Sequence, residues 1–128
     1  MARKHAVLSA SSAARWIACP PSARLNAEQS DTPSEYAAQG TDAHTLCEYK
    51  LRKALGKRVR DPTKKLSSYD SEMEECAEFY AQFVMGLVAQ FREESKDTMV
   101  SVEQRVDFSA FVPDGFGTAD TLIISGKT

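Results

Sequence analysis

Apolar and polar positions alternate most regularly along Met99–Phe108. Val100, Val102, Val106 and Phe108 fall on one side, and Ser101, Glu103, Arg105 and Asp107 on the other, the signature of a half-buried strand. Pro113-Asp-Gly115 is turn chemistry. Phe116–Ile124 then reads as a second strand, antiparallel to the first and apolar or small on both faces. Upstream the period changes to three and four. Ser9, Ser11 and Ser12 precede Ala13, Ala14, Trp16 and Ile17, and Pro20-Pro21 stops the run, which predicts a short helix over about 9–19. Residues 22–32 read as a connection holding a turn of helix around Leu25. A long helix is predicted from about Pro33 to Leu55, with Gly56 as its terminator. Its apolar stripe is Tyr36, Gly40, Ala43, Cys47, Leu51 and Ala54, and the small Gly40 and Ala43 would admit another backbone. Ser71-Glu-Met-Glu74 has the form of a capping box and opens a third helix to about Lys96. Met73, Cys76, Ala77, Tyr80, Val84, Leu87, Val88 and Phe91 form its predicted buried face.

Helices first and a hairpin last predict an α+β fold, with N-terminal helices packed on an antiparallel hairpin. A two-stranded hairpin is a poor end for such a sheet. The 128 residues are therefore expected to be a single domain that is the N-terminal portion of a longer one.

Composition narrows the class only slightly. A chain that is 42% hydrophobic and 27% charged, with net charge −2, is an ordinary globular protein, and the near-neutral balance by itself gives no nucleic-acid signal. No apolar run approaches the roughly 18 residues of a membrane span, and no long apolar segment follows the basic start, so neither a membrane partner nor a secretory signal is expected. Three cysteines without framework spacing point to a reducing compartment, the cytoplasm.

Three clusters carry candidate chemistry. Asp120 interrupts an otherwise apolar strand, and a carboxylate there is costly unless a cation, a proton or several donors satisfy it. It reads either as a ligand or as an edge carboxylate facing water or a lysine. On the long helix, His44 and Glu48 are four apart and project from one face, beside the apolar stripe. A histidine and carboxylates aimed at one point bind divalent cations; the pair also reads as a solvated structural one. Between the second and third helices, Lys57, Arg58, Arg60, Lys64 and Lys65 crowd around Asp61-Pro62. This segment is either a track for a nucleic-acid backbone or a solvated loop. Trp16 reads as a core anchor.

Four motifs in order then carry a resemblance. Ser9-Ala-Ser-Ser-x-x-Arg-Trp-x-x-Cys-Pro20, Gly40-x-x-x-His-x-x-x-Glu48, Val102-Glu-x-x-Val106 and Gly117-Thr-Ala-Asp120 resemble the RecB-like nucleases of the PD-(D/E)XK superfamily, phage-borne members most of all. The resemblance spans residues 9–124 and implies an incomplete restriction-endonuclease-like core. It implies that His44 and Asp120 hold Mg²⁺ or Mn²⁺, that Asp120 and Glu48 are the catalytic acids, and that DNA is the partner, in a bacterial host or from a prophage. The reaction would be metal-assisted phosphodiester hydrolysis.

The family's next strand carries an acidic-x-Lys motif, which is absent here. Lys127 is the one lysine after Asp120, with no acidic residue two positions before it. The expectation is therefore weak metal binding and little or no cleavage by this chain alone. The alternatives are a degenerate nuclease fold serving as a non-catalytic DNA-metabolism or phage accessory binding module, and a plain helix–hairpin domain. A P-loop reading of Gly126-Lys-Thr fails for want of the upstream glycine and the following helix. Some RecB-like nucleases hold an iron–sulfur cluster whose first cysteine resembles Cys19 in its Cys-Pro context. Cys47 and Cys76 read here as buried small hydrophobes, so no cluster is expected. The last strand would leave one edge unpaired beside Leu122, Ile123 and Ile124, which predicts a homodimer through that strand.

Overall fold

The structure, a computed structural model, describes residues 6–29 and 34–127. Two short 3₁₀ turns, Ala10–Ser12 and Thr63–Lys65, accompany four helices: α1 (Ala13–Ala18), α2 (Pro21–Ala27), α3 (Glu35–Ala54) and α4 (Ser71–Glu94). Two strands, β1 (Met99–Asp107) and β2 (Phe116–Ile124), pair as one antiparallel hairpin, the only sheet among the described residues. The expected α+β class and helix-then-hairpin order are both present. The chain divides into two compact units, residues 6–29 with 104–119 and residues 34–103 with 120–127.

The second unit is built on α3, α4 and the base of the hairpin. Ser34 caps α3, its hydroxyl accepting from the Ala37 N–H at 3.1 Å, so the helix opens on a serine; Pro33, where the sequence placed the start, lies outside the described residues. Gly56, with φ +77°, ends the helix as expected, in a conformation that costs glycine little. Asp70 caps α4, one residue before the predicted box: its Oδ1 accepts from the Met73 N–H at 2.7 Å. Aspartate is as good a cap as serine and adds a charge that the helix dipole favours.

Two apolar clusters hold the unit together. Leu51 of α3, Val84 and Val88 of α4 and Val102 of β1 form one, with Val100 and Ile123 packed against it. Leu46, Met73 and Ala77 form the other. Leu46 and Leu51 are fully enclosed, and enclosing a leucine contributes about 1.5–3 kcal/mol relative to leaving it in water.

The predicted stripe of α3 is therefore corrected. Leu46, absent from it, is buried, whereas Tyr36 is 86% exposed and Ala54 is exposed. Among the described residues, nothing lies within 4 Å of a Cβ placed at Gly40, and no backbone approaches there. The first turns of α3, residues 35–41, face solvent, and contact with α4 begins only around Ala43. The face of α4 is corrected at two positions: Ala81, absent from it, is buried, and Cys76 is exposed; Phe79 and Phe83, also absent from it, stand 71% and 59% exposed. Polar ties complete the unit. Lys50 pairs with Glu74 and, at 3.3 Å, with Glu78. The Asp42 carboxylate accepts from the Ser68 N–H at 2.8 Å and from the Ser67 hydroxyl. Buried Ser125, just past β2, hydrogen-bonds the Thr98 hydroxyl and the Phe91 carbonyl.

The first unit holds α1, α2 and the tip of the hairpin. No serine side chain caps α1; the Ser9 and Ser12 hydroxyls pair with each other at 2.7 Å, and the Trp16 indole N–H donates to the Ser9 carbonyl at 2.9 Å. Pro20-Pro21 does not simply stop a helix. Pro21 occupies the first position of α2, where its missing N–H costs nothing. At the hairpin tip, the Phe108 N–H donates to the Gly115 carbonyl, and Asp114 takes φ +53°. A Cβ at Gly115 would lie 2.6 Å from the Phe108 ring, so the turn requires glycine there. The Arg105 guanidinium lies 4.0 Å over the Phe116 ring.

Candidate functional site

Four elements of the second unit bring the candidate residues to one cleft of about 220 Å³. Spacings of three and four put His44, Cys47 and Glu48 on one face of α3, and they line the cleft with Tyr80 of α4, Glu103 of β1 and Asp120 of β2. The Tyr80 hydroxyl and Thr121 Oγ1 are 2.6 Å apart, which ties α4 to β2 immediately beside Asp120.

His44 Nδ1 stands 3.5 Å from Asp120 Oδ1. Their side chains remain 64% and 58% exposed, so this is an open, loose pair that water or a ligand can enter. The solvated reading of Asp120 and its reading as a ligand both survive this geometry. Glu48 is differently placed. Its Oε1 accepts from Arg52 Nε at 2.7 Å, and Arg52 Nη2 donates to the Val102 carbonyl at 3.1 Å. The carboxylate is thus committed to a guanidinium that also fastens α3 to β1.

Glu103 joins the site from a position that alternation had assigned to a plain solvent face. Its φ is +54°, a left-handed conformation that a glutamate adopts only under constraint. Glu103, exposed overall, is among the residues that line the cleft. Slight desolvation at the cleft raises the proton affinity of this otherwise exposed carboxyl, the charges of Glu48 and Asp120 raise it further, and His44 and Arg52 oppose them. Burial likewise pushes the Cys47 thiol up, aided by Cys76 and Asp120, so Cys47 lines the cleft as an inert thiol. The signal for Glu103 in the sequence was the Val-Glu-x-x-Val motif; the alternation, which puts it on the polar side with Ser101 and Arg105, does not single it out.

The donor types suit Mg²⁺ or Mn²⁺, which take carboxylate oxygen and, for Mn²⁺, imidazole nitrogen. Among the described residues, however, no three His, Cys, Asp or Glu side chains converge closely enough to hold an ion. The fit is that of a partial shell, His44 with Asp120, most of whose coordination would fall to water.

The basic segment follows α3 directly. Lys57, Arg58, Arg60, Lys64 and Lys65 are all exposed, and among the described residues none of them forms an ion pair. Asp61, the exposed acid in their midst, accepts from the Thr63 N–H at 2.9 Å and from its hydroxyl at 2.7 Å, which holds its carboxyl below the ordinary value. Among the described residues, no helix is long and apolar enough to cross a membrane.

A model of the family described as "Protein of unknown function (DUF2800)" matches residues 5–128, and the chain belongs to that family. No solved structure matches it.

Proposed function

We propose that this DUF2800 chain carries the first part of a metal-dependent site for phosphodiester hydrolysis on DNA, on an incomplete PD-(D/E)XK core. One observation carries the reading: His44 and Asp120, far apart in sequence and matched separately to nuclease motifs, meet at 3.5 Å in a cleft that Glu103 also lines. Mg²⁺ or Mn²⁺, when bound by His44 and Asp120, would lower the pKa of a bound water and offset charge on the phosphate. Glu103, whose carboxyl takes a proton more readily than an ordinary glutamate, is suited to accept one at its carboxylate oxygen. Glu48 acts through Arg52, holding that guanidinium in place. The cations of Lys57, Arg58, Arg60, Lys64 and Lys65 follow the DNA backbone.

A second reading, a binding module without catalysis, draws on the engagement of Glu48 by Arg52 and on the absence of three converging donors among the described residues. Fluorescence anisotropy of a labelled linear DNA at low salt, with and without Mn²⁺, tests the proposal. Binding should tighten with Mn²⁺ in the wild type and not in Asp120→Ala. Without an acidic-x-Lys strand, no DNA should be degraded beyond the Asp120→Ala background. Binding indifferent to Mn²⁺ contradicts the metal-dependent site and leaves the binding module.

A further inference from the structure

A second cleft, of about 190 Å³, opens on the other side of Glu48, bounded by Tyr49 and Arg52 of α3 and by Val59, Arg60 and Pro62 of the loop that follows. Glu48 lines both clefts and so stands between them. The first cleft is walled by an imidazole and carboxylates; the second has two guanidiniums, an aromatic ring and two apolar side chains. We propose that this second cleft seats one nucleotide of the DNA strand, its base against Tyr49 and its phosphate at Arg60. The proposal rests on the reading of the neighbouring cleft as a DNA-processing site.

The two arginines have different parts. Arg52 is spent on Glu48 and the Val102 carbonyl, and so forms a fixed positive wall. Arg60 is exposed and, among the described residues, has no carboxylate partner, and Asp61 beside it is occupied by Thr63. Arg60 is thus the available cation, and its planar fork suits a phosphate.

Tyr49 is half-buried, part of it packed against the Leu46–Met73–Ala77 cluster, which steadies the ring, and the Lys53 ammonium 5.7 Å from the ring centroid adds positive charge nearby. Val59 and Pro62 supply apolar walls for a flat ring. Inorganic phosphate would use the guanidinium and leave those walls idle. A nucleotide uses both, and stacking on an aromatic ring tolerates any base. Because the two clefts share Glu48, a strand whose phosphate lies at His44 and Asp120 presents an adjacent nucleotide to Tyr49 and Arg60.

Anisotropy of a fluorescein-labelled ten-residue oligothymidylate in EDTA reads this site without the metal. Tyr49→Leu should weaken binding about tenfold through lost stacking, and Tyr49→Phe should retain wild-type binding. Arg60→Gln should weaken binding and reduce the slope of log affinity against log salt by about one. Free thymidine monophosphate should compete only at concentrations far above those of the strand.

Three results would overturn the proposal: no binding by the wild type, Arg60→Gln or folded Tyr49→Leu binding like the wild type, or the mononucleotide competing as well as the strand. Should Tyr49→Leu lose its thermal transition, Tyr49→Phe and the exposed Arg60→Gln still decide. Losses in the Tyr49 and Arg60 variants, with no Mn²⁺ effect that depends on Asp120, would uphold this subsite while removing the metal site beside it.

Discussion

Glu103 holds a left-handed φ of +54° and, in the same cleft, faces the negative charges of Glu48 and Asp120. A non-glycine residue so placed costs about 1–3 kcal/mol, and such strain gathers at working sites. Glu103→Gly should therefore raise stability toward unfolding by denaturant by about 1 kcal/mol, while removing the carboxyl the proposed chemistry uses. The pH dependence has a definite sign. A carboxyl whose folded pKa is raised binds more protons folded than unfolded, so stability falls as pH rises from the ordinary glutamate value of 4.5 through the raised one. Glu103→Gln should match the wild type in acid and exceed it at neutral pH by a few tenths of a kcal/mol, the scale of a solvent-screened charge. Denaturant titrations at several pH values check this; a gain that grows toward acid would show that the carboxylate is stabilised where it stands.

Among the elements, β2 has the clearest consequence beyond its own pairing. It bonds to β1 alone among the described residues, and its other edge lies beside Leu122, Ile123 and the 39%-exposed Ile124. Residues 116–124 contain no proline or lysine to blunt that edge, which is a template for a second chain. A homodimer pairing the C-terminal strands is the expected outcome, read by light scattering coupled to size exclusion; a strict monomer at high micromolar concentration would contradict it. The bounds of β2, 116–124, were legible because the Pro113-Asp-Gly115 turn precedes a run of small, β-branched and apolar residues that Asp120 alone breaks with a charge. The burial of α3 was not. Its early turns carry apolar Tyr36 yet face solvent, because the pattern shows which residues can be buried and says nothing about where the partner helix begins. On α4 the period left Phe79 and Phe83 off the buried face, and they do stand outside: the helix buries a row of smaller side chains, Ala77, Ala81, Val84 and Val88, which let it pack closely.

At the scale of the whole chain, the cleft residues all belong to one unit, residues 34–103 with 120–127. That unit needs both ends of the hairpin's base, so Asp120 reaches His44 only once β2 has returned antiparallel to β1. Sequence order supplied His44 and Asp120 as partners through four spaced motifs, and they meet at 3.5 Å. It did not supply the engagement of Glu48 by Arg52, because a helix spacing of four fits an ion pair as well as a metal pair. The central claim is that His44 and Asp120 form a divalent-ion site, and titration of the protein with Mn²⁺, read by the electron-paramagnetic signal of the free ion, tests it most directly. The wild type should take up one ion weakly, with affinity falling at least about 10-fold in both His44→Ala and Asp120→Ala, since loss of even a group that supports a ligand costs that much. Identical titrations for all three proteins would contradict the account.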